Sequence, residues 1–97
     1  MELIFEWNTN KNKQNFQKHG ITFEEAKTVF FDPLARIFDD EIHSLGESKE
    51  IIVGHSSRRK LLLVVFVERE ENKIRIISAR LTTRNEKKDY EEAQSKT

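Results

Sequence analysis

Residues 61–67 form the longest uninterrupted apolar stretch of the chain, and most of them are β-branched or aromatic. A stretch of this length is too short to cross a bilayer, and its composition favours a strand buried on both faces over a helix. Residues 68–72 make a polar break of the length that connects a hairpin. The side chains of residues 73–80 then alternate between two faces, and their parity places Arg80 on the face of Ile76, at the rim of the core. The pattern predicts two adjacent strands at the centre of the fold, with an arginine at the end of the second strand, next to the start of the last helix.

The polar segment that follows the first strand is typical of a surface helix. Asn8 or Asn10 can act as the N-cap of a helix over residues 11–18, and Gly20 can take the left-handed conformation that ends it. Phe16 is the only large apolar residue of this helix. We therefore expect the helix to dock weakly on the rest of the domain.

Two capping-box patterns mark the starts of the other helices. Thr22 is followed by Glu25, and Thr83 by Glu86, at the spacing in which two side chains cap each other's backbone N–H groups. The second helix has an apolar stripe suited to packing on a sheet, which consists of Phe23, Ala26, Val29 and Phe30. The last helix, over residues 85–94, has as apolar anchors only Tyr90 and Ala93. We expect it to be held loosely, because two such side chains supply little burial energy against the entropy of ordering a helix.

Further short strands are predicted over residues 3–7, 34–38 and 49–56. Together with the helices they give the element order β-α-α-β-β-β-β-α. The predicted fold class is therefore α+β, a single domain over residues 1–97 in which helices pack on an antiparallel sheet.

The charge of the chain is balanced in total but not in distribution. Seventeen Lys and Arg residues oppose seventeen Asp and Glu residues, which argues against a general nucleic-acid binder. Residues 1–48 carry five basic against nine acidic side chains, whereas residues 49–97 carry twelve against eight. The second half can therefore form a basic patch, and an ordinary mixed-charge surface is the open alternative.

Several classes of function lack their sequence signals. The chain has no cysteine, so it forms neither disulfides nor thiolate metal sites. Its histidines, His19, His43 and His55, lack the spacing of metal ligands, and we expect no metal and no cofactor. Neither a nucleophile elbow nor a glycine-rich phosphate loop is present. Without a signal peptide or an apolar span of about 20 residues, the expected location is the cytoplasm, with no membrane contact.

A set of basic and polar side chains in the second half is the remaining candidate for chemistry. Guanidinium groups bind phosphate bidentately and stabilise the charge that builds up when a ribose 2′-OH attacks its own phosphodiester. That reaction needs a base and an acid but no metal. The alternative interpretation is that these arginines are ordinary surface residues that form weak ion pairs.

The order of short motifs along nearly the whole chain resembles the BrnT family. The first half contributes Phe5-Glu6-Trp7-Asn8, Lys18-His19-Gly20, Phe23-Glu24-Glu25-Ala26 and Phe31-Asp32-Pro33-Leu34. The second half contributes Ser57-Arg58-Arg59, Glu68-Arg69, Ile74-Arg75-Ile76-Ile77-Ser78-Ala79-Arg80 and Thr83-Arg84-Asn85-Glu86. The resemblance implies a RelE-like fold and a ribonuclease toxin of a bacterial type II toxin–antitoxin pair. It also implies a BrnA-like antitoxin with a DNA-binding domain, so that operator DNA is contacted only through the antitoxin.

The resulting hypothesis is a metal-independent endoribonuclease that inhibits translation by cutting RNA. Candidate catalytic residues are Arg58, Arg80 and Arg84 for phosphate, with His19, Glu68 and Tyr90 for proton transfer or positioning. Candidate RNA-binding residues are Arg59, Lys60, Lys87 and Lys88. The alternative is a non-catalytic protein-binding module that pairs with a DNA-binding antitoxin in operon repression, which the neutral net charge favours.

Overall fold

A five-stranded sheet forms the centre of the computed structural model, which describes residues 2–39, 49–70 and 72–95. The strands are β1 (Ile4–Glu6), β2 (Arg36–Asp39), β3 (Lys49–His55), β4 (Leu61–Arg69) and β5 (Lys73–Leu81). The helices are α1 (Thr9–His19), α2 (Phe23–Lys27), a 3₁₀ helix at Thr28–Phe31, and α3 (Arg84–Ser95). The order of strands across the sheet is β1-β5-β4-β3-β2. This is the predicted α+β class with the predicted order of elements.

The prediction of a fully antiparallel sheet is wrong at one edge. Strand β1 runs parallel to β5, with Ile4 opposite Lys73 and Glu6 opposite Arg75, while the other three strand pairs are antiparallel. Only three residues of β1 take part, and its first backbone bond is from Ile4 N–H to the carbonyl of Asn72, at 2.7 Å. The sheet is therefore mixed. Hydrophobic alternation could not predict this, because it shows which face of a strand is buried but not in which direction the strand runs.

Strand β4 is buried on both faces along most of its length, as predicted. On one face Leu62, Val64 and Phe66 are at most 2% exposed and pack under α2. On the other face Leu63 joins a smaller apolar cluster with Tyr90 of α3. The helices therefore cover the sheet from both sides, with α2 and α3 on opposite faces.

A β-bulge in β5 changes the face on which Arg80 lies. Val65 pairs with Ser78 and Phe66 pairs with Ile76, so Ile77 is an extra residue in β5. An extra residue reverses the alternation beyond it. The prediction that Arg80 shares the face of Ile76 is therefore wrong, because Arg80 lies opposite Leu63, on the face of α3.

Helix α1 is capped as predicted, but a buried amide docks it on the sheet. Asn8 accepts a hydrogen bond from Lys11 N–H, and Gly20 ends the helix with φ of 72°. The Asn15 side chain, only 7% exposed, donates to the carbonyls of Ile21 and Ala79, both at 2.8 Å, and accepts from Ala79 N–H at 3.1 Å. This amide takes the place of a neighbouring strand along β5, beyond the end of β1.

Helix α3 has more anchors than the two apolar side chains predicted. Tyr90 is 5% exposed, and three polar contacts join the C-terminal half of the helix to Leu34 and to the first residue of β2, Arg36. These are Tyr90 Oη to the Leu34 carbonyl (3.3 Å), Gln94 Nε2 to the same carbonyl (2.7 Å) and Arg36 to the Ala93 carbonyl (3.2 Å). The prediction that α3 is loosely held did not include these bonds. How readily α3 separates from the sheet stays a prediction.

Gly54 marks a close approach between β3 and the chain entering β2. A Cβ atom at this position would lie 2.8 Å from Ala35 Cβ and 3.0 Å from Asp32 Oδ2. The contact lets Asp32 Oδ2 accept a hydrogen bond from His55 N–H at 2.8 Å. Glycine is needed here for space and not for an unusual backbone angle.

Replacing Gly54 with alanine is expected to lower the free energy of unfolding by about 1–3 kcal/mol, because the new methyl group overpacks a buried contact. Urea denaturation measures the change. Adding Ala35→Gly to the variant removes the nearest clashing atom and should restore part of the loss. A Gly54→Ala protein with the native midpoint would contradict this account of the close approach.

Candidate active site

The turn between β3 and β4 presents two arginines at one end of the sheet. Ser56 N–H donates to the Lys60 carbonyl and Arg59 N–H donates to the Ser56 carbonyl, both at 2.9 Å. Arg59 has φ of 62°, the left-handed conformation that closes the turn. Arg58 and Arg59 are exposed, and neither pairs with a carboxylate in the part of the chain that the structure describes. Their guanidinium groups are therefore available to an anion.

A buried carboxylate holds this turn in place. Glu25 is 8% exposed, and its Oε2 accepts a hydrogen bond of 2.7 Å from Ser56 Oγ. Ser56 Oγ in turn accepts from the N–H groups of Arg58 and Lys60, at 3.2 and 3.4 Å. The turn that carries the arginines is thus built on a side chain of α2, so its shape is set by the core.

A second contact, from the first residue of the 3₁₀ helix, completes the support. Thr28 Oγ1 donates to the Glu25 carbonyl at 2.6 Å and accepts from Ser57 N–H at 2.8 Å. The predicted capping box at Thr22 is only half formed, since Thr22 Oγ1 accepts from Glu25 N–H while the Glu25 carboxylate bonds to Ser56 instead. Sequence reasoning gave Glu25 a capping role, and nothing in the pattern pointed to Ser56.

His55 stands directly before the turn and next to a carboxylate. Its side chain is 51% exposed, and its Nδ1 lies 3.8 Å from Asp32 Oδ2, a distance suited to an ion pair but too long for a hydrogen bond. Its ring packs edge-on against Tyr90, with 6.0 Å between the ring centroids. The sequence pattern gave no signal for the contact between His55 and Asp32, because the two residues are 23 positions apart.

Arg80 is occupied by an ion pair with the first turn of α3. Its guanidinium contacts Glu86 bidentately, at 2.7 and 2.8 Å. Glu86 Oε1 also accepts from Thr83 N–H at 2.8 Å, and Thr83 Oγ1 accepts from Glu86 N–H at 3.2 Å, so the predicted capping box is present. The hydrogen bond from Arg80 is the main reason that the pKa of Glu86 falls from 4.5 to about 2. Because this pKa is lowered in the folded state, the stabilisation is present above pH 4.5 and is lost as the pH falls towards 2.

Tyr90 anchors α3 through its hydroxyl as well as its ring. The hydroxyl donates to the Leu34 carbonyl at 3.3 Å. Burial raises the pKa of Tyr90, and the negative charge of Asp32 raises it further. These contacts favour a neutral, positioned side chain, and a role for Tyr90 in proton transfer stays a prediction.

The structure brings some of the predicted site residues together and separates others. Thr82 N–H donates to the Leu61 carbonyl at 3.2 Å, which joins the end of β5 to the start of β4. Residues at this end of the sheet are Arg58, Arg59, Lys60, Arg80 and Arg84, with Lys87 and Lys88 exposed on α3.

Two of the predicted residues lie elsewhere. Glu68 is seven residues along β4 from Leu61, about 23 Å in an extended strand. His19 lines a groove between α1 and β5. Neither Glu68 nor His19 lines the groove beside the turn, which Thr28, Phe31, Asp32, His55, Ser56 and Ser57 form.

The described part of the chain has neither a metal-binding cluster nor a membrane-spanning helix. Within residues 2–39, 49–70 and 72–95 no three His, Asp or Glu side chains are grouped so that they could hold a metal ion. In the same ranges no helix has the length and apolar character needed to span a membrane. His43 lies outside the described residues.

Comparison with known proteins gives two agreeing results. The model of the family described as "Ribonuclease toxin, BrnT, of type II toxin-antitoxin system" matches residues 7–86. The 1.1 Å crystal structure of the Brucella abortus ribonuclease toxin BrnT superposes with a TM-score of 0.62 at 20% sequence identity, over 87% of this chain and 99% of that one. The comparison with curated proteins gives no match.

The fold is the small α+β domain seen in the crystal structure of the Brucella abortus toxin. The chain belongs to the BrnT family, the ribonuclease toxins of type II toxin–antitoxin systems. Membership of this family implies an RNA substrate and an antitoxin partner. The structural match supports the BrnT fold, and the wider likeness to RelE stays a prediction.

Proposed function

We propose that this protein is a metal-independent endoribonuclease that inhibits translation, and that the turn after β3 is its active centre. One observation carries the proposal: His55, Arg58 and Arg59 lie within five residues, at the end of β3 and on the turn that follows, and the hydrogen bonds of Ser56 hold this turn. An imidazole and two guanidinium groups that form no ion pair within the described residues supply the acid–base and anion-stabilising functions of phosphodiester cleavage.

The proposed reaction is an internal transfer at the RNA phosphodiester. His55 removes the proton from a ribose 2′-OH, the O2′–P bond forms and the P–O5′ bond breaks. The departing 5′-oxygen takes up the proton that the imidazole removed, which leaves a 2′,3′-cyclic phosphate and a 5′-OH. Arg58 and Arg59 stabilise the negative charge on the non-bridging oxygens.

Asp32 and Glu25 are the proposed supporting residues. Asp32 Oδ2 accepts a hydrogen bond from the backbone N–H of His55 and lies 3.8 Å from its Nδ1, so the proposed role of Asp32 is to orient the imidazole. Glu25 keeps the turn in the conformation that presents the arginines. Arg84, at the start of α3, is exposed near the same end of the sheet and is the proposed additional phosphate contact.

The proposed partner is a BrnA-like antitoxin with a DNA-binding domain. It neutralises the toxin and represses the shared operon, so operator DNA is contacted only through it. The toxin family supports an antitoxin in general, and the type of antitoxin is part of the proposal.

The test is cleavage of a labelled single-stranded RNA and inhibition of cell-free translation, both in the presence of EDTA. We expect the native protein to remain active under chelation, and Arg58→Ala to reduce cleavage about 10²–10³-fold, because one stabiliser of the transition-state charge is lost. Lys73→Ala, at the opposite end of β5, is the matched control and should retain native activity.

Activity that EDTA abolishes and Mg²⁺ restores would contradict the metal-free mechanism. A native protein that neither cleaves RNA nor inhibits translation would instead support the alternative, a non-catalytic module that pairs with its antitoxin in repression.

A further inference from the structure

Helix α1 carries cationic side chains and no carboxylate. Its sequence, TNKNKQNFQKH, contains three lysines and one histidine but neither Asp nor Glu, in a chain whose net charge is zero. Lys11 and Lys18 are seven residues apart, which is close to two turns and about 10 Å along the helix axis. They therefore lie on the same side of the helix.

These two lysines border a groove between α1 and β5. The groove has a volume of about 250 Å³, and its lining consists of Lys11, Gln14, Asn15, Lys18, His19, Ile77 and Ser78. No carboxylate is among these lining residues. Both lysines are exposed and unpaired within the described ranges.

Hydrogen bonds between α1 and the sheet hold the floor of the groove. Asn15 joins α1 to the edge of β5 through two hydrogen bonds with Ala79 and a third bond with Ile21. The helix is capped at both ends, by Asn8 and Gly20. The cationic side chains therefore project from a fixed surface, and less entropy is lost when they bind than on a mobile loop.

We propose that the groove between α1 and β5 binds the phosphodiester backbone of single-stranded RNA, as a second contact separate from the turn at His55. Lys11 and Lys18 contact successive parts of the backbone, while Gln14 and His19 supply hydrogen-bond donors between them. Cationic grooves that follow a backbone are the common feature of single-strand binding without sequence readout. The proposal rests on the proposed function, because it takes RNA to be the substrate.

The experiment measures fluorescence anisotropy with a labelled 2′-O-methyl RNA of twelve nucleotides, which lacks the 2′-OH needed for cleavage. We expect the double variant Lys11→Gln/Lys18→Gln to bind about tenfold more weakly, and its slope of log K against log salt to be smaller by about 1.4, for two lost phosphate contacts. Lys13→Gln is the matched control, since Lys13 belongs to the same helix but lines a different groove. It should change the affinity by less than about twofold.

Cleavage of the dinucleotide uridylyl-3′,5′-adenosine separates this proposal from the function at the turn, because so short a substrate does not extend into a second site. The double variant should cleave it at the native rate. If no protein cleaves any RNA but the double variant still loses affinity for the oligonucleotide, the groove proposal stands and the catalytic one fails.

Native affinity and native salt slope in the double variant would overturn the groove proposal. A competition experiment gives a second test, in which polyglutamate and unlabelled RNA are added separately at equal charge. If polyglutamate displaces the oligonucleotide as effectively as RNA does, the proposal is also overturned, because the site then binds an acidic polypeptide as readily as RNA.

Discussion

Replacing Asn15 with leucine is expected to lower the free energy of unfolding by about 3–5 kcal/mol. The substitution leaves the N–H and carbonyl of Ala79 and the carbonyl of Ile21 buried without the partners they have now. Each unsatisfied buried group costs about 1–3 kcal/mol. For a domain whose total stability is about 5 kcal/mol, the lower end of the usual range, this loss is enough to unfold a large part of the population at 37 °C. Urea denaturation followed by circular dichroism measures the change.

Gln17→Leu is the matched control for Asn15→Leu. Gln17 is an exposed residue of the same helix, so the same change of side chain should alter the stability by no more than about 0.5 kcal/mol. Asn15→Asp adds a sharper comparison, because it keeps the acceptor for Ala79 N–H but turns a carboxylate towards two carbonyl oxygens. If Asn15→Leu unfolds at the native urea midpoint, the amide does not hold α1 on the sheet.

The parts of the fold that sequence could predict are those encoded locally. The apolar run of β4 and the Thr83–Glu86 capping box depend on residues close together in the chain, and both are present. Asn15 shows what local patterns miss. Its role depends on the backbone of Ala79, 64 residues away, and an isolated Asn in a polar helix has no signal that marks it as buried.

The bulge at Ile77 illustrates a second reason for failure. Counting alternate positions along residues 73–80 assumes a regular strand, and one extra residue moves Arg80 to the opposite face. There it meets Glu86, so the arginine that parity placed at the core rim is held in an ion pair with α3. The bulge therefore explains both errors, the face predicted for Arg80 and the absence of Glu86 as its predicted partner.

The candidate site was predictable only in its charged turn. Three consecutive basic residues, Arg58, Arg59 and Lys60, between two strand patterns indicated a basic connection, which the structure shows. His55 and Asp32 were not predictable as a pair, because they meet through the close approach at Gly54. A glycine inside a strand pattern is the one local signal of such an approach.

Replacing His55 with glutamine is expected to reduce the rate of RNA cleavage about 10²–10⁴-fold, the usual range for the loss of a general acid–base group. The side chain is half exposed and makes no short side-chain hydrogen bond to Asp32, so the stability of the fold should change little. We expect kcat to fall while KM stays near its native value, since the substrate phosphate is bound by the arginines. Steady-state cleavage of a labelled RNA over a range of substrate concentrations measures kcat and KM, and urea denaturation checks the fold.

His19→Gln is the comparison that decides between the two histidines. Both substitutions remove one imidazole, but His19 lines the groove of α1 and His55 stands at the arginine turn. If His55 is the base, His19→Gln should leave the cleavage of uridylyl-3′,5′-adenosine unchanged, whereas His55→Gln should nearly abolish it. The reverse result would place the chemistry at α1 and contradict the assignment of the turn as the active centre, because the arginines at residues 58 and 59 would then lie away from the reacting phosphate.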